Sequence, residues 1–579
     1  MSPRRLALLR LAAAAAFVLL LARLVQLQVG QGAQLRQASE QNRIRLLPQP
    51  APRGMILDRA GRVLASNRPA FMVTMLPHPA PARRRAVERE LEPLLGLARG
   101  ALERRFGAAR MASGEAVAVA EDVDYRTVAR VEEHAAFLPG VSVQAVPVRC
   151  YPYGALAAHA LGYVGEVDRE ELARLAGQGY RQGDRLGKSG VERAAEGWLR
   201  GREGGWQVEV DARGRVTREL GEVAPRQGRP VVLTLDLPVQ QAAEAGLRGR
   251  RGAAVALDPQ TGELLALCSS PGFDPNWFAR GLQGAQWRYL NGRARPQQNR
   301  ALAGRYEPGS VFKIITAAAA LEAGQVEVGS RFFCPGYFRL GRWQFGCWRQ
   351  GGHGPISFLE GVAQSCNVVF MTLGRRVGAA GLAEMAHRFG LGQTTGVELG
   401  SESRGLVPDP GWKREHRHQP WYPGDTCQMA IGQGDLLLTP LQAAVEVAAV
   451  ANGGRRVRPH LLKQAGGDRV PAPDPQPLGL RPETVSLLQQ GLEAVVAQGT
   501  GQALGHLGVR VAGKTGTAQN PHGPAHAWFV GYAPAPRPRV AVAVLVEGGG
   551  HGGATAGPIA GRMISAALRL EGEGARHQH

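Results

Sequence analysis

Ser310 and Lys313 stand three residues apart in Tyr306-Glu-Pro-Gly-Ser-Val-Phe-Lys313, just ahead of an Ala-rich stretch that runs to about Gly324. The Pro-Gly pair reads as a turn that delivers the serine to a helix N-terminus. Spacing of i,i+3 then puts both side chains on one helix face. A hydroxyl is a poor nucleophile until a base takes its proton, and a partly desolvated lysine is such a base. The free N–H groups of the first helical turn could hold the resulting oxyanion. This is the chemistry of acyl transfer through a serine ester. Ser-x-x-Lys is usually an accidental surface pair, but the chain contains it only once.

Two further clusters supply what such a nucleophile needs. Ser365-Cys-Asn367 follows a helical pattern that begins at Ile356 and offers a hydroxyl and a carboxamide on a short turn. Taken alone, Ser and Asn in a loop are turn formers. Lys514-Thr-Gly-Thr517 lies in an apolar, strand-like stretch. There Gly516 would let a ligand backbone approach the strand, while Lys514, Thr515 and Thr517 hold a substrate carboxylate. Only five lysines occur, Lys188, Lys313, Lys413, Lys463 and Lys514, in a chain with 69 basic residues. Arg cannot lose its proton in a protein and Lys can, so Lys313 and Lys514 draw attention as positions that Arg could not fill.

In the order Ser-x-x-Lys, Ser-x-Asn, Lys-Thr-Gly, the three clusters match the signature of penicillin-binding proteins and serine β-lactamases. The likeness extends through Gly252-Ala-Ala-Val-Ala-Leu-Asp-Pro-Gln-Thr-Gly-Glu-Leu-Leu-Ala, Asp274-Pro-Asn276, Asn299-Arg-Ala301, Gly432-Gln-Gly434, Arg53-Gly54 and Asp58-Arg59. These resemble class B penicillin-binding proteins over nearly the whole chain. Trp421-Tyr-Pro-Gly-Asp-Thr426 and Tyr151-Pro-Tyr-Gly with Leu161-Gly-Tyr-Val-Gly resemble the elongation-type penicillin-binding protein 2 group more than the division-type relatives. Val311 departs from the family's usual Thr and leaves the catalytic groups untouched.

The resemblance implies a peptidoglycan D,D-transpeptidase. Ser310 would attack the penultimate D-alanine carbonyl of a stem peptide and release the terminal D-alanine, with Lys313 as general base. Ser365 would relay a proton to the leaving amine, Asn367 would position the donor peptide, and Lys514 and Thr515 would hold its carboxylate. The N–H groups of Ser310 and Thr517 would form the oxyanion hole, and an amine from a neighbouring stem peptide would resolve the acyl-enzyme. β-Lactams should trap Ser310. No Glu-Asp-x-x-Phe glycosyltransferase signature precedes this region, so the chain should crosslink glycan rather than polymerise it. In the family such enzymes work beside a SEDS-type (RodA-like) membrane polymerase and rod-complex scaffold proteins. A D,D-carboxypeptidase or β-lactamase would share the motifs but pass the acyl group to water, and neither needs a stem of some 200 residues. A β-lactam sensor or wall-binding scaffold is the non-catalytic alternative, against which Ser310, Lys313 and Lys514 stand intact.

Six cysteines are present, and three of them with His353 fall in Cys334-(x)12-Cys347-(x)5-His353-(x)12-Cys366, ending inside the Ser365-Cys-Asn367 turn. Three thiols and an imidazole could bind zinc tetrahedrally. Such positions carry a structural zinc in some elongation-type relatives that this pattern resembles. A Cys334–Cys347 disulfide, or unlinked buried thiols with His353 as a turn residue, are the other readings. Cys150, Cys268 and Cys427 read as small core residues.

The elements that must position these groups divide the chain. A chain of 579 residues exceeds one ordinary core. Arg4, Arg5 and Arg10 precede an apolar run from Leu11 that continues past Arg23. One helix over residues 6–29 would span a bilayer. The run lacks a small-x-small cleavage site, which favours an uncleaved anchor over a removed signal peptide. Residues 1–5 would be a cytoplasmic tail, with the rest extracytoplasmic. The formal charge of +21 then suits anionic lipid and wall polymers better than nucleic acid, since no basic helix or aromatic-interleaved patch gathers the arginines.

A β-rich pedestal is expected over 30–228, with β-like runs in 41–73 and 141–148, a hairpin from Trp206 to Val216 around Asp211, and a helical head inserted at about 76–140. The transpeptidase domain is expected over 229–569 as an α/β/α serine β-lactamase-like fold. It should hold a strand into a helix over 238–247, a hairpin at 253–267, strands at 509–512, 527–532 and 540–546, and a closing helix over 555–568. Residues 570–579 read as a disordered tail. The whole is an α+β multidomain chain.

Overall fold

The computed structural model describes residues 3–32, 44–76, 80–104, 107, 117–210, 216–520 and 523–570. The chain forms two compact units, one of residues Met1–Arg53, Asn67–Val148 and Arg200–Gly228, the other of Gly54–Ser66, Arg149–Leu199 and Arg229–His579.

The first unit opens with α1 (Pro3–Val25), which runs into a short π turn. Arg10–Gly30 is long and apolar enough to cross a membrane. Next come β1 (Ile44–Gln49), β2 (Val63–Met75), α2 (Pro81–Leu94), β3 (Val117–Val123), α3 (Tyr125–Glu133), β4 (Val141–Cys150), β5 (Gly204–Val210) and β6 (Val216–Val223). β5 pairs antiparallel with β1 and with β6, so the expected hairpin forms. Its turn around Asp211 and the tail 571–579 lie outside the described residues.

The head is not wholly helical, which corrects the expectation for about 76–140. β3 pairs antiparallel with the later part of β2, Phe71 opposite Val123 and Val73 opposite Ala120. Val117 and Val119 are buried while Ala118 and Ala120 are half-buried. That period of two, completed by a strand some 45 residues earlier, overrides the helix preference of the alanines. Val73, Met75, Val87, Leu91, Val131 and Leu138 close this small core around Val117 and Val119.

In the second unit the scaffold is α4 (Leu237–Leu247), β7 (Gly252–Leu257), β8 (Leu264–Ser270), α5 (Lys313–Glu322), β9 (Arg331–Cys334), β10 (Tyr337–Leu340), β11 (Trp343–Gly346), β12 (Gly354–Ser357), α6 (Phe358–Ala363), α7 (Asn367–Arg388), α8 (Pro423–Ala430), α9 (Pro440–Ala451), α10 (Pro482–Gln498), β13 (Ala512–Asn520), β14 (Gly523–Ala533), β15 (Val540–Val546) and α11 (Gly552–Leu568). The strand expected at 509–512 begins at Ala512 and carries the whole Lys-Thr-Gly-Thr segment.

Five strands form one antiparallel sheet in the order β8-β7-β15-β14-β13. Every residue of β15 is buried, as the unbroken Val/Ala/Leu run requires of a strand covered on both faces. Its odd-placed Val540, Val542, Val544 and Val546 meet α4 and α11 through Val239, Leu247, Ile559 and Met563. Ala541, Ala543 and Leu545 turn the other way, into the larger core that holds α5, α7 and α9. The result is the expected three-layer α/β/α arrangement. It leaves β13 at one edge of the sheet, paired among the named strands only with β14.

Candidate active site

Gly309 and Ser310 open a 3-10 turn, Gly309–Phe312, that leads into α5 at Lys313. Gly309 has φ +54, and a Cβ there would stand 3.0 Å from the Thr517 carbonyl of β13. From the other side, a Cβ on Gly432 would come within 2.0 Å of the Gly309 carbonyl. Two glycines therefore let three chain segments converge on the residue before Ser310. Ser310 is half-buried, and its hydroxyl takes part in none of the hydrogen bonds that knit its neighbours together among the described residues.

Those bonds centre on Ser365. Lys313 Nζ donates to Ser365 O (2.8 Å), Asn367 Oδ1 (2.7 Å) and Ser365 Oγ (3.2 Å). Lys514 Nζ donates to the same Ser365 Oγ (2.9 Å) and to Thr515 O (3.1 Å). Ser365 adopts φ +53, an uncommon left-handed conformation for a residue with a side chain, which turns its carbonyl and hydroxyl toward Lys313 together. A capping box between Ser357 and Glu360 starts α6, the helix that ends just before this turn.

Both lysines are 1% exposed. Ile314, Ala317, Phe358, Val362 and Phe370 wall them in, so the charged forms lose hydration. Burial brings Lys313 down to about 7, against an opposing pull from the Cys366 and Cys347 thiols. Lys514 is pushed well below its ordinary value, first by burial and then by repulsion from Lys313. Two amines on one hydroxyl in a dry pocket are suited to trade protons rather than to stay doubly charged.

β13 brings the rest of its motif alongside. Thr515 is buried with its Oγ1 2.5 Å from Thr500 Oγ1, while Thr517 is exposed at the sheet edge. Gly516 has a packing role within the fold that the sequence did not suggest. Its missing Cβ would lie 2.9 Å from Trp528 Cβ, 3.0 Å from Pro308 O and 3.2 Å from Val311 Cγ2. The glycine admits the protein's own nucleophile turn against the strand.

Several supporting residues escaped sequence reasoning. Trp528, fully buried on β14, donates Nε1 to Glu307 O (3.0 Å) and pins the segment before Ser310. Glu547 Oε1 accepts from Arg300 Nε and from Tyr306 OH, both at 2.8 Å. Thr500 was marked only by the Gly499-Thr-Gly501 sequence after α10, a turn signal with no chemistry attached.

Cys334, Cys347, His353 and Cys366 do come together. Their ligand atoms all lie within 4.8 Å of one another, and Cys347 Sγ is 3.6 Å from His353 Nδ1. Pairing of β9 with β12 and of β10 with β11 folds the intervening loop to this point. Gly352 is required there, because a Cβ would meet Cys334 O at 2.1 Å. All six cysteines are free thiols. Hydrogen bonding with Cys366 is the largest of the influences that lower the Cys347 thiol below its ordinary value. The His353 Nε2 atom is buried without a hydrogen-bond partner. Three sulfurs and one imidazole at this spacing fit a tetrahedral zinc ion. Cys268 and Cys427 are core residues as expected, and Cys150 is half-buried.

Comparison with known proteins agrees with this geometry. Residues 252–565 match the penicillin binding protein transpeptidase domain, and residues 48–233 match the penicillin-binding protein dimerisation domain. The chain is 36% identical over 565 residues to the peptidoglycan D,D-transpeptidase MrdA of Acinetobacter baumannii, covering 93% of this chain and 84% of that protein. Among solved structures, PBP2 of Helicobacter pylori in complex with MreC superposes with a TM-score of 0.80 at 26% identity, over 91% of this chain and 99% of that one. A structure describing coordinated polymerization and crosslinking by a peptidoglycan synthase complex gives 0.74 at 34% identity, over 98% and 99%.

Proposed function

The chain belongs to the class B penicillin-binding proteins, and from that premise we infer that it is a peptidoglycan D,D-transpeptidase of cell-wall elongation acting through an acyl-enzyme on Ser310. The observation that carries the site assignment is the convergence of Lys313, which follows Ser310 by three residues, with Lys514 and Asn367 on the Ser365 turn.

In the first half-reaction neutral Lys313 takes the Ser310 proton as Oγ attacks the penultimate D-alanine carbonyl of the donor stem peptide. The N–H groups of Ser310 and Thr517 receive the oxyanion. Ser365, held between two amines, passes a proton to the departing D-alanine nitrogen. Asn367 orients the donor, and Lys514 with Thr515 and Thr517 holds the terminal carboxylate. In the second half-reaction an amine from another stem peptide attacks the ester, and its proton returns along the same path to Ser310.

Cys334, Cys347, His353 and Cys366 would hold a structural zinc that stiffens the Ser365 loop and takes no part in the chemistry. α1 would anchor the chain with its arginine-rich end in the cytoplasm and the catalytic unit outside. A SEDS-type glycan polymerase and rod-complex scaffold proteins are the partners this reading calls for. It is supported by the kinds of assembly in which the similar structures were solved.

Intact-mass analysis of the full chain with benzylpenicillin tests the assignment. One adduct mapped to Ser310, absent in a folded Ser310→Ala variant, is the expected result. Labelling of that variant would sink the nucleophile assignment.

A further inference from the structure

Trp348 is fixed in place yet left open. Its Nε1 donates to Gln364 O (2.9 Å), the residue just before Ser365. Its ring meets His353 nearly edge-on, with centroids 5.4 Å apart and planes at 69°. Gln364 in turn donates to Gln498 O (3.1 Å), on the segment that reaches Thr500 and so Thr515. Asn367 Nδ2 donates to Gly346 O (3.1 Å), tying the other end of the same short stretch to the catalytic turn. The indole has its only polar atom satisfied, and it is still 55% exposed. Trp343 and Tyr337 are exposed on the neighbouring hairpin, but among the described residues no such bonds join them to the Ser365 turn.

A rigid aromatic face with no remaining polar need, tied through Gln364 to the segment that carries Ser365, is a contact surface. The relay places the contact. If Ser365 delivers a proton to the leaving amine, microscopic reversibility brings the incoming amine to the same hydroxyl, and Trp348 borders that turn. An amine carried on an alkyl chain matches an indole on both counts, since its methylenes pack on the ring and its ammonium form is drawn to the ring quadrupole.

We propose that Trp348 is a specificity-determining residue for the acceptor, binding the aliphatic chain that bears the attacking primary amine. The inference rests on the transpeptidase reading above. Once the amine has released its extra proton to solvent, nitrogen bonds to the acyl carbon and the carbon–Ser310 Oγ bond breaks. One of the two N–H protons moves to Ser310 Oγ and the other stays on the new amide.

The test uses the full chain in detergent with an acyl-D-alanyl thioester donor, and either Nα-acetyl-lysine or glycinamide as acceptor. Trp348→Ala should raise the half-saturating concentration of Nα-acetyl-lysine about threefold to fivefold, the size of an exposed cation–π contact. Glycinamide transfer and acceptor-free thioester hydrolysis should stay within about twofold of wild type, and Trp348→Phe should recover most of the loss. Unchanged dependence on Nα-acetyl-lysine overturns the inference and leaves transpeptidation standing. A parallel fall in acceptor-free hydrolysis overturns it by making Trp348 structural. A wild-type chain that transfers to neither amine overturns the transpeptidase reading and this inference with it.

Discussion

The Ser365–Cys366–Asn367 turn is approached from two sides that are held together by different physics. On one side stand α5, β13 and β14, where Lys313, Lys514 and Trp528 are sealed by apolar packing in a core that reaches both faces of a five-stranded sheet. On the other stand the short strands β9 to β12, whose Phe333 and Trp343 are 65% and 63% exposed. Two-stranded pieces of this size bury too little to fix themselves. Four donor side chains gather at the base of these strands, where Cys334 and Cys366 are buried and Cys347 and His353 half-buried. The comparison teaches that the Ser365 turn meets buried amines on one side and, on the other, a cluster of three thiols and an imidazole under a sparsely packed hairpin.

The sharpest way to test the buried side is to remove Lys313, its proposed base. Lys313→Ala should slow acylation of Ser310 by benzylpenicillin by about 10²- to 10⁴-fold while the protein still folds, read by the rate of adduct formation. An unchanged rate would move the base elsewhere, Lys514 first. Truncating the packing instead, with Trp528→Ala, should cost about 3–5 kcal/mol in denaturant unfolding, because the cavity lies beneath the sheet and Glu307 O loses its donor. A loss under about 1 kcal/mol would mean that apolar packing is not what holds this side.

The pH dependence follows from burial. Lys313 acts as a base only when neutral, and its proton leaves at about 7. Acylation should therefore fall about tenfold per unit as pH drops below that value and level off above it. A flat profile from pH 5 to 8 would break the link between burial and basicity. For the exposed side, Cys334→Ser should lower bound zinc, measured per chain by atomic emission. It should also speed hydrogen exchange in 331–357 and move the unfolding free energy of the sheet by less than about 1 kcal/mol. Cooperative loss of the whole unit would erase the distinction drawn above.

How much of this could be read beforehand depends on how local the cause is. β15 was legible to the residue because seven consecutive apolar residues need no partner to declare themselves buried. Ser310, Lys313, Ser365, Asn367 and Lys514 were legible because three short spacings occur in a fixed order, and all but the Ser310 hydroxyl meet in one hydrogen-bonded group. The strand at 117–123 was hidden, since its partner β2 lies far back in the chain and its alanines favour a helix. Thr500, Trp528 and Glu547 act on groups 15, 221 and 241 residues away, and nothing in their own neighbourhood marks them. Gly516 was noticed for ligand approach, and its packing role was not foreseen. Its sequence shows that space is needed, and only the fold shows that Pro308 and Val311 fill it.

The sheet's termination at β13 carries a consequence for what the enzyme can distinguish. A peptide laid along an outer strand is measured mainly by its backbone, through the spacing of its amides, its direction and the handedness at each α-carbon. Side chains alternate away from the ladder and are felt only at the few places where a wall rises. Recognition of this kind tolerates chemical variety along the donor while remaining strict about chirality at the scissile bond. It also lets any rigid molecule with the right amide and carboxylate geometry counterfeit the substrate.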